Sequence, residues 1–347
     1  MKHPYYIVAP RYIRTSAGVR VLYKLCDLIN KAGGSAFIYL RPHSNHDLAS
    51  SPMDVAPFLT QKIVDYHFSN AQTPIVIYPE TFEISRFSAP IRVRYILNYE
   101  GLLSPHDCED DDYLLYYSEN IARKVDSEKP GSTLFLPVSD PDFFCPPVQD
   151  ARNGGVFYAG KFKYHFSGKT FPITNGMTEI TRDQLNSQTP EQIRALFQSA
   201  EFFYCYEDSA LALEAMLCGC TVVFIPNEYF QETLGGKEME GLGYAWGNAP
   251  EQLTNAMATV KQARGRYLFL LDQAQLAVKS FIDKSQQLAV NVPYKEPFAF
   301  NFITPPSKIQ QILDLLKFLK QVVQDKGIIK TATIILKRLR SGRIVLH

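Results

Sequence analysis

Cysteine is scarce in this 347-residue chain: six residues, at positions 26, 108, 145, 205, 218 and 220. None forms a CxxC pair and most sit inside apolar runs, which argues against a zinc site or a disulfide framework and leaves reduced core thiols. No run approaches the ~18 uninterrupted apolar residues of a bilayer-spanning helix. No Gly-x-Gly-x-x-Gly fingerprint follows any segment that reads as a strand, which disfavours an NAD-dependent oxidoreductase. The first residues, MKHPYYIVAP, enter a strand directly and lack the basic, apolar and cleavage regions of a secretory signal, so a cytoplasmic location is expected. A charge excess is missing too, since 36 Lys/Arg stand against 35 Asp/Glu. That balance hides an asymmetry: residues 308–347 hold nine Lys/Arg and two Asp, a local +7 on a remainder of about −6.

What is present suits a globular protein of two domains of roughly 150 residues each. The most informative stretch is 202–226, FFYCYEDSALALEAMLCGCTVVFIP. An apolar run ends at Glu207-Asp208-Ser209, a helical segment runs from Ala210 to Cys218, Gly219 closes it, and a β-branched run follows to Pro226. The order is strand, loop, helix, strand. Asp208 or Ser209 is the expected N-cap, which would leave the N–H groups of Ala210, Leu211 and Ala212 at the positive end of the helix dipole, where a diphosphate fits. Glu214 lies one turn further on, within reach of a ribose diol. Gly219 occupies the C′ position, and ligands of parallel α/β sheets collect at the carboxyl ends of the strands.

LEAMLCGCTVV (213–223) resembles the donor-binding motif of GT-B glycosyltransferases of the group-1 type (carbohydrate-active family four), and the transferases of bacterial capsule and O-antigen clusters with YED or YD here look closer still. In that group a first Glu stands eight residues before the second. Counting back from Glu214 gives Tyr206, with Glu207 one place late. The resemblance implies an α/β fold of GT-B type: two Rossmann-like domains with a cleft between them and C-terminal helices crossing back. It implies that Glu214 binds the donor ribose, and it makes Tyr206, Glu207, Asp208, Ser209, Ala210 and Leu211 donor-site candidates.

The rest of the chain is ordered around this frame. Residues 5–9 read as a strand, 10–20 as a loop into a helix ending near Ala32, and 36–40 as a second strand. Gly18 stands where the group has a Gly-Gly loop near the donor; the alternative is a loop needing one residue of positive φ. TPIVIYPE (73–80) and IRVRYILNYEG (91–101) read as strands ending in Glu80 and Glu100. Together with His106, these are the candidate base or nucleophile, though each Glu also suits a cap or salt-bridge role. CEDDDY (108–113) reads as a solvated acidic loop rather than a metal site. LLYYSEN (114–120) and STLFLPV (132–138) supply further strands, the latter at a domain edge. SDPDFFCPP, with three prolines, is the expected linker. GGVFYAGK (154–161) opens the second half, where Lys161 matches the group's diphosphate-contacting cation. MTEITRDQL (177–185) reads as a strand and turn, which the resemblance, with the sheet ordered as in GT-B, would place with Thr181 and Arg182 near the nucleotide, and TPEQIRALFQSAE (189–201) reads as a helix without a site role. Helices are expected over 251–284.

These readings set boundaries: an acceptor-side domain over 1–138, a linker over 139–153, a nucleotide-sugar domain over 154–290, and crossing-back helices with a basic tail over 291–347. The tail combines Ile328, Ile329, Ile334, Ile335 and Leu336 with Lys330, Lys337, Arg338, Arg340 and Arg343, which suits an anionic membrane surface better than nucleic acid. Packing of a terminal helix onto the first domain is the alternative for 307–325. The expected activity is sugar transfer from a nucleotide-diphosphate sugar, used as co-substrate without a cofactor or metal, to a glycan or lipid-linked acceptor in cell-surface polysaccharide synthesis. A catalytically degenerate GT-B subunit or a GT-B sugar-nucleotide epimerase would share the frame.

Overall fold

The computed structural model describes residues 3–41, 55–82, 91–99, 112–125, 131–149, 151–182, 186–290 and 292. All of them belong to one packed unit. Six parallel strands form the first sheet, in the order β2 (Ala36–Leu40), β1 (Tyr5–Ala9), β3 (Ile75–Pro79), β4 (Ile91–Ile96), β5 (Tyr113–Tyr116) and β6 (Gly131–Thr133). Every residue of β1, β3 and β5 is buried, as expected of a parallel sheet covered on both faces. Helix α1 (Ala17–Lys31) packs its Val21, Leu22, Leu25 and Ile29 into the core beneath this sheet, and Ser16 caps it by accepting from the Val19 N–H. Helix α2 (Gln61–Ser69) is capped in the same way by Thr60.

Two strands are shorter than their sequences suggested, for local reasons. β5 stops at Tyr116 because Ser118 caps helix α3 (Glu119–Lys124), its side chain accepting from Ile121 N–H at 3.3 Å. β6 ends at Thr133, and the next carbonyl, that of Leu134, accepts the Tyr95 hydroxyl at 2.5 Å. The acidic run behaves differently from the expected solvated loop at its end. Asp112 is 1% exposed, bonded to the Arg92 Nε at 2.8 Å and to the Tyr78 hydroxyl; residues 108–111 lie outside the described residues.

The second sheet is also parallel, in the order β11 (Tyr244–Trp246), β10 (Thr221–Phe224), β9 (Phe202–Cys205), β7 (Gly155–Tyr158) and β8 (Thr178–Glu179). A single helical turn, α4 (Gly160–Tyr164), follows β7. Helix α5 (Pro190–Ser199) starts with Pro at N1 and a reciprocal capping box between Thr189 and Gln192. Helix α6 (Ala210–Leu217) joins β9 to β10 and is closed by Gly219 at φ 80°, where a side chain would be strained.

The segment expected to hold several helices is one, α7 (Pro250–Val290), and Gly265 does not interrupt it. Its Ala263, Tyr267 and Leu270 belong to the core of the second lobe, whereas Ala274, Val278, Phe281, Ile282 and Ala289 belong to that of the first. The crossing back therefore happens inside 250–290, upstream of the boundary placed at residue 291. The linker is tied to this helix: the Tyr267 hydroxyl accepts the Ser139 N–H at 2.7 Å and donates to the Ser139 carbonyl at 2.8 Å. Cys26, Cys205, Cys218 and Cys220 are buried free thiols and Cys145 is a half-buried one.

Candidate functional site

Both sheets turn the carboxyl ends of their strands towards a shared cleft. Asn98 and Tyr99, after β4, line it from the first lobe. Lys161 after β7, Glu207 and Asp208 after β9, and Tyr229 and Leu234 after β10 line it from the second. Ligands of open α/β sheets gather at such strand ends. A second hollow runs along α6 past Ala212, Leu213 and Met216 and shares Asp208 and Leu234 with the first, so Asp208 stands between them.

The acidic loop is held from three sides. The Glu207 carboxylate accepts the Lys161 backbone N–H on one oxygen and the Lys161 ammonium at 3.2 Å on the other. Asp208 accepts the Leu234 N–H. Burial pushes the Asp208 carboxyl up to about 6; the Leu234 N–H and Lys161 pull the other way, and the neighbouring Glu207 charge adds to the rise. Arg182 lies over the Tyr158 ring, 5.0 Å from its centroid, and its Nη2 donates to the Tyr158 hydroxyl and the Ser209 Oγ, both at 3.1 Å. Its Nε is buried without a hydrogen-bond partner. Burial also pushes the Tyr158 hydroxyl up to about 12.

The start of α6 departs from the open anion site inferred from sequence. The Leu211 N–H donates to Ser209 Oγ at 3.3 Å and the Ala212 N–H to the Ser209 carbonyl at 2.9 Å, so two of the three N–H groups are already used. Ala210 and Leu211 are buried, because apolar side chains surround this helix almost completely. Glu214 is buried as well. Its Oε1 accepts from Arg20 Nη1 at 3.0 Å and from Ser139 Oγ at 3.2 Å, which joins α6 to α1 of the first lobe through the linker. Tyr206 is wholly buried: its ring stacks on Phe162, and its hydroxyl accepts the Phe171 N–H and pairs with Thr174 Oγ1, both at 2.8 Å.

In the first lobe, Gly18 lies in the opening turn of α1 without a positive φ, and a Cβ there would meet Leu97 at an ordinary 3.5 Å. The loop alternative, a residue needed for its φ, is thereby corrected: this backbone is helical. Glu80 is 7% exposed and its carboxylate accepts the Leu97 N–H at 3.0 Å, which brings it and Gly18 to the same residue past the end of β4. Glu100 and His106 lie outside the described residues. No group of three His, Cys, Asp or Glu among the described residues could hold a metal ion, and no described helix is long and apolar enough to cross a membrane.

Sequence reasoning missed Arg20, Ser139, Tyr99, Tyr229 and Leu234. Tyr229 and Leu234 follow β10 and were accessible to the strand-end rule. Arg20 carries no local signal, because its partner is 194 positions away.

No protein-family model matches the chain, and no curated protein sequence matches it. Solved structures do. A glycosyltransferase from Rickettsia africae ESF-5 superposes with a TM-score of 0.51 at 9% identity, over 84% of this chain and 99% of that one. An α,α-trehalose 6-phosphate synthase from Burkholderia multivorans reaches 0.45 at 12%, over 84% and 99%. MurG of Acinetobacter baumannii reaches 0.40 at 10%, over 83% and 100%. The fold is GT-B. Two parallel-sheet lobes, a cleft at their strand ends and a helix returning from the second core to the first make up that architecture.

Proposed function

We propose that the protein is a metal-independent hexosyltransferase that moves a sugar from a nucleotide-diphosphate sugar to a glycan or lipid-linked acceptor in the synthesis of a cell-surface polysaccharide. The observation that carries this reading is the meeting of Lys161 and the Glu207–Asp208 loop at the strand ends facing Asn98 and Tyr99 across the cleft, with Arg182 bonded to Ser209 behind that loop. Two cations there can stabilise a departing diphosphate as negative charge develops on it, with an oxocarbenium-like sugar in the transition state. Glu214 is assigned to the donor ribose, and Glu80, Glu100 and His106 are the first-lobe candidates for a base or nucleophile. The test is turnover of UDP, GDP, dTDP and CMP sugars, preceded by a thermal-shift screen of the nucleotides. A ligand at 100 times its Kd adds about 2.7 kcal/mol of stability. If no nucleotide shifts the melting temperature and no donor is consumed, the transferase reading is wrong.

One observation favours a second reading, a degenerate GT-B subunit that binds a glycan or partner without catalysis. The side chains of Lys161, Arg182 and Glu214 are all engaged by other residues of the chain, namely Glu207, Tyr158 with Ser209, and Arg20 with Ser139. Nucleotide binding without turnover of any donor would select it.

The basic end, 326–347, lies outside the described residues; its composition supports peripheral attachment to the anionic inner face of the plasma membrane, where a lipid-linked acceptor would reside. Each cation near such a surface adds on the order of 1 kcal/mol. The full-length protein should float with phosphatidylglycerol vesicles at low salt, and a chain cut after Asp325 should not, while still binding nucleotide. Equal flotation of the two would remove the membrane role.

A further inference from the structure

Glu207 is held the way a bound anion is held. Its carboxylate takes both the backbone N–H and the ammonium of Lys161, and the surrounding turn is shaped to admit it. Gly160 has φ 44°, and a Cβ on it would stand 2.6 Å from Tyr158 Cε1 and 2.7 Å from Glu207 Cδ. Only glycine lets the turn close over this carboxylate. The clasp borders the cleft, and the Lys161 side chain is 41% exposed there while that of Glu207 is 10% exposed. Asp208 follows in the chain and also lines the cleft, so two adjacent acids stand beside Lys161 there. Burial holds the Asp208 carboxyl above its ordinary range, and the neighbouring Glu207 charge adds to the rise.

A diphosphate entering this cleft would meet repulsion from Glu207 at the lysine expected to receive it. We propose that the Glu207 carboxylate is a built-in stand-in for a phosphoryl group: it occupies the Gly160–Lys161 turn in the empty cleft, and an incoming diphosphate displaces it and takes over the Lys161 N–H and ammonium. Carboxylate and phosphoryl oxygens accept the same hydrogen bonds, and the exchange keeps the Lys161 N–H paired in both states. Glu207 thereby sets a threshold that a monoanion does not cross, which favours polyanionic ligands. For the identity of the displacing ligand as a nucleotide diphosphate, this inference rests on the donor reading of the cleft.

Isothermal titration with inorganic pyrophosphate, UDP, GDP and dTDP separates the two ideas. The full-length wild type, Glu207→Gln, Lys161→Met and the double variant are compared at fixed pH and salt. Like charges brought together cost enough that Glu207→Gln should bind pyrophosphate about tenfold tighter or more. The gain should vanish when Lys161→Met is added. Unchanged or weaker binding by Glu207→Gln, with nucleotides still bound by the wild type, overturns the stand-in and leaves the donor reading. A gain for pyrophosphate with no nucleotide bound by either protein upholds the stand-in and removes the donor reading, and absence of all binding removes both. A measurement on the wild type guards against misfolding of the variant: in protein labelled with ¹⁵N-lysine, the Lys161 amide resonance should shift on saturation with pyrophosphate. Binding that leaves this resonance in place also overturns the proposal.

Discussion

Replacing Glu214 by Ala removes one member of a buried contact between the lobes. Arg20 and Glu214 are paired at 3.0 Å, with side chains only 8% and 5% exposed. Truncating one partner of a buried pair typically costs 3–5 kcal/mol, because the other charge is left uncompensated. Arg20 keeps three acceptors, the Val138 carbonyl at 2.9 Å, Ser139 Oγ at 3.1 Å and the Arg14 carbonyl at 3.4 Å, which places the cost near the low end. A loss of about 3 kcal/mol at about 1.5–2 °C per kcal/mol, the slope for a cooperative unit of this size, lowers the melting temperature by about 4–6 °C. The control is Arg20→Met with Glu214→Leu, which removes both charges and should recover most of the loss, since an apolar replacement of a whole buried pair is often neutral. Scanning calorimetry of wild type, single and double variants reads both numbers. A single variant melting within about 2 °C of wild type, or a double variant no better than the single, refutes the orphaned-charge argument. The ribose assignment is tested by Glu214→Gln, assayed at a temperature where the variant is folded, which should weaken nucleotide binding by roughly 1.5–3 kcal/mol; an unchanged Kd removes Glu214 from the donor site.

Two further substitutions separate scaffold from site. Burial raises the Asp208 carboxyl to about 6 in the fold against 3.8 for the ordinary group, so at neutral pH the fold carries the charged form at a cost, and the stability this withholds returns as pH falls below about 6. Asp208→Asn should therefore be more stable than wild type at pH 8, by at most about 3 kcal/mol, with the gap about halved at pH 5 and closed only below about pH 4; a gap that is flat between pH 8 and pH 5 in paired urea titrations contradicts the raised value. Tyr206→Phe strips the hydroxyl from Thr174 and from the Phe171 N–H, and leaving buried groups unpaired should cost about 1–3 kcal/mol. Its nucleotide Kd should match that of the wild type if Tyr206 is a core residue, and a large loss of binding at unchanged stability would return it to the donor site.

The βαβ unit around LEAM was legible because each boundary has a local cause. Glu207-Asp208-Ser209 ends the apolar run, Ser209 caps α6, Gly219 closes it, and the β-branched residues of β10 follow. The direction of each side chain was not legible, since a parallel strand is buried on both faces and alternation no longer separates inside from outside. Phe203 and Cys205 point into the main core of the second lobe, whereas Tyr206 belongs to the separate cluster with Phe162 and Val223. Both faces read as apolar in the sequence, so Tyr206 could be aligned with a ligand-binding carboxylate while its ring is packed in a core.

Helix α7 sets the same limit on a larger scale. Ala263, Tyr267, Leu270, Ala274, Val278, Phe281 and Ser285 recur at steps of three and four along one buried stripe, and that period alone predicts a helix. The change of partner core between Leu270 and Ala274 is marked by no proline, glycine or break in the stripe. It is decided by where the first lobe stands, and the contacts between the lobes near the cleft are made by polar residues far apart in sequence. Arg20 meets Glu214, Tyr99 donates to the Thr233 carbonyl at 3.0 Å, and Lys237 meets Glu119 at 3.1 Å. Surface pairs such as the last hold little energy, so the buried Arg20–Glu214–Ser139 contact is the one among these that can fix the lobes at the depth of the donor loop. A residue recognised from its motif as a ligand-binding carboxylate is thus also a joint between domains, and variants that separate the two duties, Glu214→Gln for charge and Glu214→Ala for the contact, decide how far each extends.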